Sequence, residues 1–106
     1  MDKVYGLIGL AKRAGRIAGG EFQCTGAIKD GSAELVILAC DASENTKKKI
    51  MNSCEFYKVL CIEYGTKDEH GRYTGGSDRA VITIKDKGFT DAILKIVATL
   101  KEGNGE

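Results

Sequence analysis

Three short, almost unbroken apolar runs govern what this chain can fold into. They are Leu35-Val36-Ile37-Leu38-Ala39, Val59-Leu60-Cys61-Ile62 and Ala80-Val81-Ile82-Thr83-Ile84. Each is too short for a buried helix and is bounded by turn or polar residues, so each reads as a strand buried on both faces. Such strands need cover on two sides, and the segments between them supply it. Val4, Leu7, Ile8 and Ala11 recur at helical spacing, which predicts a helix over Asp2–Arg13 that Gly15 ends. A second helix is predicted from about Glu21 to Lys29, stopped by Asp30-Gly31. A third, capped by Asp41 or Ser43, carries Ile50, Cys54 and Tyr57 on one face. A short polar helix follows Gly65, with Thr66 as its cap. Phe89, Ala92, Ile93, Ile96, Val97 and Leu100 form the apolar stripe of a longer last helix. "RIA", Arg16 to Ala18, is a weak fourth strand. Helices alternating with apolar strands predict an α/β fold, a three-layer α/β/α sandwich. Strand order is not readable from the sequence.

The 106 residues suit one domain, taken as 1–106 with a flexible tail at about 102–106 where glycines gather. No apolar run approaches the roughly 20 residues that cross a bilayer, and the N-terminus lacks the pattern of a secretory signal, so no membrane partner and a cytoplasmic location are expected. A formal net charge of +1 does not by itself announce a nucleic-acid binder; any such reading rests on local clustering. Cys24, Cys40, Cys54 and Cys61 form no C-x-x-C pair, and with His70 as the one histidine no zinc spacing exists. The expectation is small buried thiols, with no metal and no cofactor.

Catalytic motifs are missing. There is no phosphate-binding loop followed by lysine, no G-x-G-x-x-G after a strand and no G-x-S-x-G elbow. His70 lies in a polar segment and reads as solvent-facing, without the ordered partners of a catalytic base. Cys24 falls near a helix start, where a thiol can be acidified, but the buried, inert reading is preferred. Lys47-Lys48-Lys49 fans around a helix and so cannot present all three cations to one partner. Two glycine clusters give a sharper signal. Lys12, Arg13 and Arg16 precede Gly19-Gly20 and the helix start at Glu21. A helix N-terminus offers unpaired N–H groups and partial positive charge, and glycines let a phosphate or base edge come close. Gly71-Arg72-Tyr73-Thr74-Gly75-Gly76-Ser77 offers arginine, aromatic and glycine again, read as a loop. Two such loops at one edge of a sandwich would make a nucleic-acid cleft.

The stretches "GLIGLAKRAGRIAGG", "AELVILACDASENTKKKI" and "DRAVITIKDKGF" resemble the ribosomal-protein superfamily that includes the L-seven-Ae and L-thirty-e proteins, most closely its small bacterial YlxQ-like branch. The resemblance spans about Val4 to Leu100. It implies a mixed, about four-stranded sheet and binding to structured RNA, of which the kink-turn is the best-known target. It also implies a motif Gly-x-Asn-Glu-x-x-Lys at the start of the second helix, assisted by a loop ahead of the last strand. Here Gly20 falls on the glycine, Phe22 on the asparagine, Gln23 on the glutamate and Gly26 on the lysine. Gln23 keeps hydrogen-bonding capacity toward a base edge, whereas Phe22 and Gly26 do not. Phe22 either stacks on an unpaired base or packs inward.

The expected activity is non-enzymatic binding of structured RNA, ribosomal or other, by a monomer. Gly19, Gly20, Glu21, Phe22, Gln23 and Lys29 would contact it at the second helix, Lys12 and Arg16 would hold phosphates, and Arg72, Tyr73, Gly75 and Ser77 would form the second loop. Glu21 has a rival role as a cap, because its charge repels phosphate. One alternative is a protein-interaction module that keeps the fold and has lost RNA. An enzyme would need a pocket gathering Cys24, His70 and an acid.

Overall fold

A computed structural model describes the backbone of residues 2–104 and the side chains of residues 2–100. Among these, five helices alternate with four strands: α1 Lys3–Arg13, β1 Ile17–Gly19, α2 Glu21–Asp30, β2 Leu35–Leu38, α3 Glu44–Tyr57, β3 Leu60–Glu63, α4 Lys67–Thr74, β4 Val81–Ile84 and α5 Lys87–Asn104. Of the tail predicted over 102–106, residues 105 and 106 lie outside the described residues. Polar residues fix most of the helix starts. Asp2 caps α1 by accepting the Tyr5 N–H, and Ser43 caps α3 by accepting the Thr46 N–H. Asp41, the other capping candidate, instead accepts the Lys67 N–H and ties α4 to the turn before α3. Gly31, at φ 85°, ends α2 as Asp30-Gly31 predicted.

The sheet is mixed, in the order β1-β4-β2-β3. β4 runs antiparallel to β1 and β2, while β2 and β3 are parallel. Side chains alternate across the sheet with period two. Leu35, Ile37, Ile82 and Ile84 therefore share one face with Val4, Tyr5, Ile8 and Ala11 of α1 and Ile93 and Val97 of α5. Val36, Leu38 and Val81 share the other with Cys24, Ala27 and Ile28 of α2 and Ile50 and Cys54 of α3. Two cores on two faces make the three layers. Each fully buried isoleucine contributes on the order of 1.5–3 kcal/mol, so the paired rows on β2 and β4 anchor the sandwich.

The prediction of three strands buried on both faces holds for two. β3 is an edge strand: Leu60 is 51% exposed and Glu63 lies in solvent. Its aliphatic sequence alone does not show that it has a neighbour on one side only. Tyr57, expected on the apolar face of α3, is 40% exposed, beside Phe56. The first strand begins at Ile17, one residue later than predicted. Among the described residues no helix is long and apolar enough to cross a membrane.

Candidate nucleic-acid interface

β1 and β4 pair antiparallel, with Gly19 opposite Ile82. The Gly20 N–H extends the ladder by donating to the Val81 carbonyl at 3.1 Å. This register sets the residues that follow β1 beside those that precede β4. The two glycine clusters of the sequence thus meet at one edge of the sandwich. They enclose a cleft of about 340 Å³ lined by Lys12, Gly15, Ile17, Gly19, Gln23, Thr74, Gly75 and Arg79. Lys12 reaches across toward Gly75: a Cβ at that glycine would lie 3.9 Å from the lysine Cε. None of the eight lining residues is acidic.

Arg79 is the residue the sequence reading missed. Its guanidinium lies close to both clusters. A Cβ at Gly19 would come within 2.7 Å of Nη1, and one at Gly76 within 2.6 Å of Nη2. These glycines therefore make room for an arginine, beyond leaving the backbone open. The Arg79 Nε is buried without a hydrogen-bond partner, and the side chain makes no ion pair among the described residues. A lone arginine between a glycine cluster and an apolar strand was the available signal; without the strand order it had no address.

Behind the cleft, α2 begins without a side-chain cap. Its N-cap is Gly20, at φ 90° and ψ 157°, a conformation that disfavours residues with a Cβ. Phe22 follows and is 91% exposed, so it does not pack inward. Phe22, Gly26 and Lys29 share one face of α2 at i, i+4, i+7 spacing. With Glu21, Gln23, Thr25 and Lys49 they line a second depression of about 600 Å³. Glu21 does not cap the helix. Its carboxylate pairs with the Lys49 ammonium at 2.7 Å, so its charge is met within the protein. Lys47 pairs instead with Glu63 at 3.3 Å, and the basic triplet is split as its helical spacing predicts. Gln23 borders both depressions.

Other predicted contacts fall elsewhere. Arg72 and Tyr73 are not on a loop: α4 runs through Thr74, and the turn before β4 starts at its C-cap, Gly75. Arg72 pairs with Asp68 in solvent, and the Tyr73 ring stacks on Tyr5 at 4.7 Å, against the core. Arg16 lies at the other end of β1, where its carbonyl accepts the Lys85 N–H. Neither Arg16 nor Ser77 lines the cleft or the Phe22 depression. A larger depression of about 860 Å³, between α1 and α5, is lined by Leu7, Leu10, Ala92 and Ile96 and holds none of the predicted residues.

His70 is fully buried rather than solvent-facing. Its Nε2 hydrogen-bonds the Tyr64 carbonyl at 2.8 Å, and its ring meets Tyr5 edge-on. Burial holds the imidazole below its ordinary pKa. Cys24 is buried on the opposite face of the sheet, its thiol 3.5 Å from the Ala18 carbonyl, and burial pushes its pKa up to about 11. That is the inert thiol expected from the sequence. Cys40 is exposed, contrary to the expectation for all four cysteines. The described residues bring no cluster of three metal-ligating groups together.

A family model for the ribosomal protein L7Ae/L30e/S12e/Gadd45 family matches residues 2–94. The RNA-binding protein YlxQ of Bacillus subtilis (strain 168) is 34% identical over 93 residues, covering 88% of this chain and 93% of that protein. The RNA-binding protein YlxQ of Enterococcus faecium is 38% identical over 96 residues, covering 91% and 92%. A solved protein of unknown function from Bacillus halodurans C superposes with a TM-score of 0.87 at 36% identity, over 92% of this chain and 99% of that one. The Giardia lamblia 15.5kD RNA binding protein shares the fold, with a TM-score of 0.72 at 22% identity over 96% and 91%.

Proposed function

This chain belongs to the ribosomal protein L7Ae/L30e/S12e/Gadd45 family, and from that premise we propose that it binds structured RNA, ribosomal or other, without catalysing a reaction. The contact surface is the mouth of α2 together with the cleft beside it. One observation carries this reading: an uncapped helix start with a 91% exposed phenylalanine stands next to a basic cleft free of carboxylates. Regular A-form RNA hides its major-groove base edges in a deep, narrow groove. A helix mouth reaches them where the strand is bent or bulged, as at a kink-turn. There Phe22 stacks on an unpaired base and Gln23 meets a base edge, while Lys12 and Lys29 meet phosphates.

The test is titration with a kink-turn RNA and a straight duplex of the same composition, over a range of salt. The bent RNA binds more tightly. Phe22→Ala weakens binding about tenfold, as loss of one base stack predicts, without changing the salt slope. Lys29→Ala lowers the slope by about one. Equal slopes for both variants overturn this division of roles. Failure to bind any RNA, with partner proteins still captured from nuclease-treated lysate, favours the interaction module.

A further inference from the structure

Helix α1 carries more apolar surface than one face of a sheet takes up. Val4, Tyr5, Ile8 and Ala11 fill the core. Leu7 and Leu10 stand in a neighbouring row with Lys3 and Gly6, at i, i+3, i+4, i+7 spacing. Helix α5 repeats the pattern: Ile93 and Val97 fill the core, and Ala92 and Ile96 lie beside them with Lys95. The two rows bound the depression of about 860 Å³ between the helices, and Leu10 on its wall is 48% exposed. A smaller depression of about 230 Å³ shares Lys3 and Ile96 with it and reaches Leu100, also exposed. Apolar surface thus continues along both helices. The charges beside it are unbalanced. Two carboxylates border this surface, and both are engaged within the protein. Asp91 pairs with the Lys87 ammonium at 2.9 Å, and Asp2 accepts the Tyr5 N–H and, at 2.7 Å, the Tyr64 hydroxyl. Lys3 and Lys95 make no ion pair among the described residues.

We propose that the groove between α1 and α5 docks one acidic amphipathic helix of a partner protein. Apolar residues of that helix at i, i+4 and i+7 seat beside Leu7, Leu10 and Ile96, and its flanking carboxylates pair with Lys3 and Lys95. Two helices packed side by side leave a groove that the ridge of a third fits. Gly6 and Ala92 carry no side chain beyond a methyl, so the third helix can come close. Charge selects the occupant. A second copy of this chain would bring Lys3 and Lys95 into one interface twice over, with Asp2 and Asp91 already engaged. A bilayer surface is flat and leaves a concave groove unfilled. No residue lining this groove lines the cleft at α2 or the Phe22 depression, so a partner helix and an RNA can be held at once.

The experiment selects binders to the wild type from a displayed library of helical peptides, with leucine fixed at i, i+4 and i+7 and the flanking positions free. The enriched peptides are expected to be acidic. A synthetic copy of one is then titrated into the wild type, Leu10→Glu and the double variant Lys3→Glu/Lys95→Glu, with thermal melts to show that both variants fold. Leu10→Glu is expected to bind about tenfold more weakly, as loss of a central apolar contact predicts. The double variant is expected to bind about fivefold more weakly, as loss of two exposed ion pairs predicts. It recovers that loss with a peptide whose glutamates are exchanged for lysine. Enriched peptides that are neutral or basic overturn the charge rule. No enrichment, or full affinity in Leu10→Glu, overturns the groove. Sedimentation that shows a concentration-dependent dimer in the wild type and none in Leu10→Glu gives the groove to a second copy and overturns the partner helix. Pelleting with phosphatidylcholine–phosphatidylglycerol vesicles, lost in Leu10→Glu, gives it to a membrane and overturns the partner helix equally.

Discussion

Gly20 and Gly65 both stand at helix starts with positive φ, 90° and 73°. At α4 the protein closes the opening on itself. The Thr66 hydroxyl accepts the Glu69 N–H, and the Glu69 carboxylate accepts the Thr66 N–H in return. The Tyr5 ring fills the space beside Gly65, and His70 is buried one turn in. At α2 no side chain caps the helix, and the first large side chain, Phe22, points into solvent. A glycine before a helix thus has two meanings. Beside Gly65 the missing side chain is replaced by the protein's own aromatic ring. At Gly20 the opening is left to the outside, with an arginine laid against its edge. With glycine at the N-cap, an open mouth costs a few tenths of a kcal/mol that a capping side chain would supply, and the α4 start shows that this chain can build the cap.

The largest expected effect breaks the closed end. Gly65→Ala forces a Cβ into the Tyr5 ring at a backbone angle that disfavours it, and the expected loss is about 3 kcal/mol of unfolding free energy. Chemical denaturation reads this directly, and an unchanged midpoint would mean that Tyr5 moves aside freely. Thr66→Ala removes half of the capping box and should cost about 1 kcal/mol, with RNA affinity unchanged because that helix start lies outside the proposed interface. A parallel fall in affinity would erase the distinction between the two mouths. The smallest effect is in pH. Burial holds the His70 pKa below its ordinary value near 6.5. The unfolded chain therefore takes up a proton there before the folded one does, and stability falls as pH drops from about 7 through the depressed folded value. Thermal melts between pH 7 and 5 should show this fall in the wild type and a flatter profile in His70→Gln; identical profiles would place the titration elsewhere.

Much of this was legible in the sequence because the signals are local. The i, i+4 apolar rows of α1 and α5, Thr66 with Glu69, and Asp30-Gly31 each state their structure within a few residues. The aliphatic runs give strands but not neighbours, so the exposed edge at β3 stayed hidden behind Leu60 and Ile62. Phe22 shows the same limit at the site: its side chain could be placed in or out only once the helix had an orientation. Arg79 needed the most non-local knowledge, since its position depends on β1 pairing with β4 across more than half of the chain. His70 was misread because its hydrophilic neighbours, Asp68 and Arg72, face solvent while α4 turns the imidazole onto Tyr5.

The claim at the centre is that the mouth of α2 meets RNA and the mouth of α4 does not. Backbone amide NMR during titration with a kink-turn RNA tests it in one experiment. The account predicts large shifts at the amides of Glu21, Phe22 and Gln23 and near-constant positions at Lys67, Asp68 and Glu69. Shifts at α4 with α2 unmoved would contradict it.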